Sequence, residues 1–573
     1  MKRNFEKSSA LQNCTDRPKR NKPMENQCSS SSSSSFDDNL SKLPSDVVLH
    51  SILPHYILNL DRYAFLYNKH KYDLCLLFMG RFHNSSKIHL IFKNVSITTF
   101  KAIGRNGEVF NFFEKGILDS VLPSNIESIS FLSNFFTQGT SISALPSIIM
   151  EKPLFLRHLN LTYQTSFKDV QQICSLKRLE HLRLANSMMS LQDVTQILKS
   201  NTKLRCLEYC FPHSSSSSTN EMLIDSQEIL SAFQEGSGTL ERLFLNGVSC
   251  LSNSMVAKLI EILPNLKELS VQDAQLLSNE AFCNIEKNGK NLTFINISGC
   301  ENITCPFKTL LKAPKLRTIV LEGCDLSTKD LSITTKEHCT TENITDLDLA
   351  SCVVNDMSIL SNFSSLTCLN LSSVQLVAGS GAETFLKNIA TLSHLKELNL
   401  TGCQFMNDTL LSHIANKELK MLRVGGCGGI TDQSIPHLMK LEQLTEIEIG
   451  KTKISSGGVQ SLLDHFKNIV YFGVNQLNLT DSDILNIQGW SQIERLNLSK
   501  NRISDLGFKS LVKYSNLIFL NLADNLITDN GIDQDLFSNK TLTGLILVAN
   551  RKITNKKRSQ IVMKCTHIVD LHL

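Results

Sequence analysis

The chain has 573 residues, with 58 Lys and Arg against 54 Asp and Glu and a formal net charge of +4. That near balance gives no electrostatic footprint for nucleic acid, and no run of about 18 apolar residues marks a membrane span, so neither is expected as a partner. Aromatic residues make up 7% and Trp occurs once, a composition that suggests one kind of element used repeatedly rather than several different cores.

The opening residues, MKRNFEKSSALQNC, lead into no apolar segment of a secretory signal, and the chain reads as cytoplasmic. Residues 1–38 are polar and hold an unbroken serine run from Ser29 to Ser35. Too little apolar surface is present to offset chain entropy, so a disordered tail is expected. The cluster RPKRNKP, residues 17–23, has two readings: a nuclear import signal, or a solvated charge cluster.

Residues 39–90 change character. Leu43-Pro44, then Val47, Val48, Ile52 and Leu53, predict a short helix with Pro at its start, ended by Pro54. This opening resembles an F-box, the helical module that docks on the Skp adaptor of cullin-type ubiquitin ligases. The resemblance implies that Leu43, Pro44, Val47, Val48, Ile52 and Leu53 contact the adaptor, and that Leu60-Asp61 with the stretch from Tyr63 to Phe78 leads into a second helix. The other reading is a helical cap; F-boxes usually carry Trp near their end, whereas Trp490 lies far downstream. Residues 91–125 read as a connecting or capping segment.

From residue 126 to 573 a pattern apolar-x-x-apolar-x-apolar recurs. It starts at Ile126, Leu156, Leu179, Leu204, Leu240, Leu266, Leu292, Leu316, Ile344, Leu366, Leu395, Leu419, Leu444, Ile469, Ile493, Leu517, Leu542 and Ile568. This gives about 18 tiles at a period that no ordinary core would keep. In LKELNL the alternation about Leu398 and Leu400 predicts a short strand with one buried face. Ser504-Asp505 followed by Phe508, Leu511 and Val512 predicts a capped helix. A strand and a helix in about 25 residues cannot bury themselves alone, so the tiles must stack into an α/β solenoid, with a curved parallel sheet inside and helices outside.

The tiles resemble leucine-rich repeats. Gly299-Cys300, Gly323-Cys324, Ser351-Cys352, Gly402-Cys403 and Gly426-Cys427, with Ile430-Thr431-Asp432 and Ile527-Thr528-Asp529, resemble the cysteine-containing subtype common in F-box substrate receptors. Asn501 and Asn525 replace the Cys in later tiles. A buried Asn there is expected to hydrogen-bond the turn backbone, with Cys as a weaker donor. Taken with residues 39–90, the resemblance implies a substrate-recognition subunit of a Skp-cullin-F-box ligase; the alternative is a general interaction scaffold.

The 36-residue interval from Leu204 to Leu240 reads as a surface excursion or a tile with a poorly patterned strand. Gly379 and Gly381 could turn the chain before a helix but lack a Gly-Lys-Ser/Thr end for phosphate. Leu571 and Leu573 would form a last strand, either a minimal cap or an edge that a partner covers.

No nucleophile, metal or cofactor motif is evident. His158, His181, His394, His413, His437 and His465 are scattered, and a Cys column at repeat spacing cannot converge on one ion. A non-catalytic protein is expected, without cofactors, binding a protein or peptide on its concave face. The outward residues there include Arg183, Arg242 and Phe244, a basic early surface. Asp346, Asp348, Glu397, Arg423, Glu446 and Glu448 follow as an acidic middle, then Tyr471, Arg495 and Phe519. Tyr471 and Phe519 are the expected anchors, because exposed aromatics on a rigid face dominate interfaces.

Overall fold

The computed structural model describes residues 156–573 except 163–169, 186–188, 211–225, 237, 249, 328–340, 355–357, 378–380, 415–416, 566 and 569. It also gives the strand backbone at Ile88–Lys93, Lys101–Ile103, Val109–Asn111 and Ile126–Leu132. The adaptor-facing residues expected at Leu43 to Leu53, the serine run and the basic cluster lie outside the described residues.

Among the described residues, nineteen strands form one parallel sheet that runs tile by tile from Ile88–Lys93 to Asp570–His572. The solenoid expected from sequence is present, and its sheet begins one strand earlier than the first expected tile, at Ile88–Lys93 against Ile126–Leu132. Cys206–Cys210 pairs directly with Arg242–Asn246, so these two are neighbouring strands of the sheet. Gly381 caps the helix Ala382–Ala390, as the turn reading anticipated.

Alternation drives each tile. In Glu397–Asn399 only Leu398 points inward, and Leu395, Leu398, Leu400, Cys403 and Met406 are fully buried. Each such leucine contributes about 1.5–3 kcal/mol relative to exposure. In most tiles the chain then turns through a left-handed residue: Gly299, Gly323, Ser351, Ser373, Gly402, Gly426, Lys451, Gln476, Lys500, Asp524 and Ala549 all have φ between 54° and 77°. Glycine before cysteine in Gly402-Cys403 and Gly426-Cys427 therefore answers a backbone need, and the later tiles meet it with strained side-chain residues.

The next residue closes the turn against the preceding tile. Sγ of Cys300, Cys324, Cys352, Cys403 and Cys427 donates to the carbonyls of Val271, Ile297, Leu321, Leu371 and Leu400 at 3.0–3.3 Å. Asn501, Asn525 and Asn550 donate to the equivalent carbonyls of Val474, Leu498 and Leu522 at 2.8–3.0 Å. Their Oδ1 atoms also accept backbone N–H groups, among them Leu479, Ile503 and Ile527. Cysteine thus performs the donor half of asparagine's task. Burial pushes the Cys300, Cys352 and Cys403 thiols up to about 12, so they behave as packing groups.

The helices are tied by a second ladder. Thr431, Ser455, Ser504, Thr528 and Thr554 each donate backbone N–H and hydroxyl to an aspartate of the preceding tile: Asp408, Asp432, Asp481, Asp505 and Asp529. The aspartate needs room; a Cβ at Gly507 would stand 2.6 Å from Asp481 Oδ1. Where Ser456 replaces the aspartate, Thr480 instead donates to Asp483 of its own helix, which fills that space.

Candidate functional site

The strand face carries two outward rows, the first and third residues of each short strand, and the register aligns them across tiles. Near the start, Arg183 pairs with Glu208 at 3.0 Å and Arg242 with Glu268 at 3.1 Å. The basic early surface expected from sequence is corrected by these partners, one tile further on. Phe244 is half-buried, its ring centroid 6.3 Å from that of Phe294. Burial, then the neighbouring His158 and Arg242, lower the pKa of His181 to about 4.

In the middle, Asp348 accepts from Ala350 N–H and from Asn370 Nδ2, and Asp346 accepts from the Thr345 hydroxyl. Glu397 accepts from Cys368 Sγ at 3.7 Å. These acids are committed to local turns and neighbours. Arg423 Nη2 lies 4.0 Å from Glu446 Oε2.

The densest constellation lies across the strands Met421–Arg423, Glu446–Glu448, Tyr471–Gly473, Arg495–Asn497 and Phe519–Asn521. The Arg495 guanidinium sits between two rings, 5.7 Å from the centroid of Tyr471 and 5.9 Å from that of Phe519. Both rings are half-buried rather than free, while Arg495 is exposed. Phe519 leans over Gly544, where a Cβ would overlap its ring.

Beside this stack, an open depression of about 450 Å³ is floored by Gly425, Gly426 and Gly450 and walled by Glu448 and Asn475. The glycines are needed there because of close approach. A Cβ at Gly473 would overlap the Glu448 carboxylate, and one at Gly450 would overlap the Asn475 amide. Glu448 Oε2 accepts from the Tyr471 hydroxyl at 2.6 Å. Burial holds the Glu448 carboxyl above the usual carboxylate range, against the opposing pull of Tyr471 and Arg423. Asn475 Oδ1 is buried without a donor. Reading outward residues by sequence found Glu448 and Tyr471 singly; the missing signal was the glycine in rows where other tiles carry Asn or Asp.

Among the described residues no helix is long and apolar enough to cross a membrane, and no group of three or more His, Cys, Asp or Glu could hold a metal ion. No protein-family model matches the chain. Among solved structures it is similar to an internalin of Listeria monocytogenes, at 19% identity over 65% of this chain and 82% of that one, TM-score 0.32. It is also similar to the Rad7 and Elc1 complex of yeast, at 20% identity over 56% and 78%, TM-score 0.38. A third is a leucine-rich repeat protein of Leptospira interrogans, at 17% identity over 76% and 100%, TM-score 0.36. One parallel strand per tile, one left-handed turn residue in most tiles and helices joining successive strands make this chain a leucine-rich repeat solenoid.

Proposed function

We propose that this is a non-catalytic binding protein that holds a polypeptide against its concave strand face, centred on Tyr471, Arg495 and Phe519. The observation that carries this reading is the cation held between two aromatic rings on three consecutive rigid strands. Such a stack offers a large contact area that has already lost its side-chain freedom, which is what an interface anchor requires. A Tyr471→Ala plus Phe519→Ala double variant that keeps its fold should lose most partner affinity; unchanged affinity would remove these anchors.

We further propose that residues 39–90 recruit a Skp-type adaptor, making the chain a substrate-recognition subunit of a cullin ligase whose chemistry belongs to other subunits. Support comes from Leu43-Pro44 and the apolar pairs Val47-Val48 and Ile52-Leu53, placed ahead of a repeat solenoid in the order of adaptor module then substrate cradle. The test is binding of a purified Skp adaptor to the full chain and to a Leu43→Asp plus Val48→Asp variant. Micromolar or tighter binding lost in the variant supports the ligase role. No binding by the folded parent leaves an interaction scaffold whose N-terminal segment caps the repeats.

A further inference from the structure

The edge of the sheet at which the strands end changes its charge along the solenoid. In the later tiles the chain passes there from a left-handed turn residue to a position that bonds the backbone of the preceding tile. Lys453 N–H donates to the Ile430 carbonyl at 2.9 Å, Arg502 N–H donates to that of Leu479 at 2.8 Å, and Lys552 bridges to Thr528. From the turn of Gly299 to that of Gly426 these stretches hold no Lys or Arg, and Glu301 and Asp325 are acidic. Beyond Gly429 they hold Lys451 and Lys453, Lys500 and Arg502, then Arg551 and Lys552, all exposed. Other cations of the solenoid meet a carboxylate one tile away, as Arg183 meets Glu208 and Lys509 meets Asp533. These six form no ion pair among the described residues. Asp524 is the one acid in the later turn stretches, and the aspartates just beyond them, Asp481, Asp505 and Asp529, are committed to Ser504, Thr528 and Thr554.

We propose that this edge, from Lys451 to Lys552, is a docking rim for an acidic, extended segment of the bound polypeptide. The cations come in pairs at every second tile, so with strands about 4.8 Å apart the pairs stand about 9.6 Å apart. Three residues of a polyproline-type chain advance about 9.3 Å. Carboxylates at every third residue of such a chain therefore keep step with the pairs. The pairs follow the strands Glu446–Glu448, Arg495–Asn497 and Gly544–Ile546, the tiles that flank and include the Tyr471, Arg495 and Phe519 stack. One polypeptide can thus occupy the stack and lay its acidic segment along the adjoining edge. A nucleic-acid strand is a poorer match, because it carries a charge on every residue and would meet Glu446, Glu448 and Asp524 as well.

The inference rests on the strand face being a polypeptide-binding face, and its test needs no protein partner. A fluorescein-labelled peptide of Glu-Pro-Pro repeats and its Gln-Pro-Pro counterpart are each titrated with the full chain at low salt, and binding is followed by fluorescence anisotropy. The expected result is that the Glu peptide binds roughly tenfold more tightly than the Gln peptide, and that Lys453→Gln plus Arg502→Gln plus Lys552→Gln removes most of the difference. A control with the same change in net charge, Lys287→Gln plus Lys290→Gln plus Lys440→Gln, alters exposed residues in or beside the helices and should leave the affinity within about twofold. Circular dichroism checks that both variants keep the fold of the parent. Equal binding of the two peptides, binding of neither, equal losses in the two variants, or tighter binding of an oligothymidylate than of the Glu peptide would overturn it. Loss of partner affinity in the Tyr471→Ala plus Phe519→Ala variant is a separate readout, so a failed probe titration leaves the binding-face reading standing.

Discussion

The hydroxyl of Tyr471 donates to Glu448 Oε2 at 2.6 Å across two adjacent strands. It partly compensates a carboxylate that has lost most of its water, and the balance still favours the protonated form relative to an exposed glutamate.

The pH dependence follows from that shift. The folded state holds the Glu448 proton more tightly than the unfolded chain does, so stability falls as pH rises from about 4.3, the unfolded value, through the raised folded value. Glu448→Gln should therefore be more stable than the parent at pH 7, with the difference closing as pH drops to about 4. Urea midpoints at several pH values measure this; a Gln variant less stable at pH 7 contradicts it.

His181 works in the opposite direction. Burial first, then His158, whose ring centroid is 4.4 Å away, and Arg242 hold it neutral down to about 4. The unfolded chain takes up the proton near 6.5, so the folded state loses stability as pH falls from about 6.5 to about 4. His181→Gln should flatten that part of the stability profile and leave the profile above pH 7 parallel to the parent's.

Asn525 Nδ2 donates to the carbonyls of Leu498, Leu522 and Ala523, and its Oδ1 accepts from Ile503 N–H. Asn525→Ala leaves these buried groups unmatched and should cost roughly 3 kcal/mol. Asn525→Cys restores the donor to Leu498 but not the acceptor, as Cys352 does toward Leu321, and should cost about half as much by the same reckoning. Denaturant titrations giving equal losses for Ala and Cys would show that the thiol contributes only volume.

Ala549 holds φ at 64°. Ala549→Gly relieves strain of about 1–2 kcal/mol and adds roughly 0.5–1 kcal/mol of chain entropy cost, so a small net gain in melting temperature is expected. Gly402→Ala is the converse, with φ at +77° and a Cβ 2.9 Å from Ser373 Oγ, and should destabilise by about 1–2 kcal/mol or more.

The repeat was legible because burial enforces it: a residue such as Leu398, fully enclosed in every register of the stack, leaves no freedom in spacing. Charge was less legible. Arg183 and Arg242 read as a basic surface along the chain, yet outward side chains on neighbouring strands stand about 4.8 Å apart, and Glu208 and Glu268 occupy those neighbouring places. Comparing the rows across tiles would have found both pairs. The depression was out of reach of periodicity, since it arises from missing side chains at Gly425, Gly450 and Gly473 and from the direction Glu448 takes over one of them. Tyr471, Arg495 and Phe519 were each found as outward residues, but not the stack they form, which depends on ring orientation.

Cys206–Cys210 and Arg242–Asn246 are immediate neighbours although their tile is about half as long again as the others. The inner sheet is thus a ruler graduated in strands, one mark per tile, on which residue count does not register. Two contact residues separated by a given number of tiles keep their span when the outer segment between them grows. A longer tile therefore leaves the footprint offered to a ligand with the same dimensions.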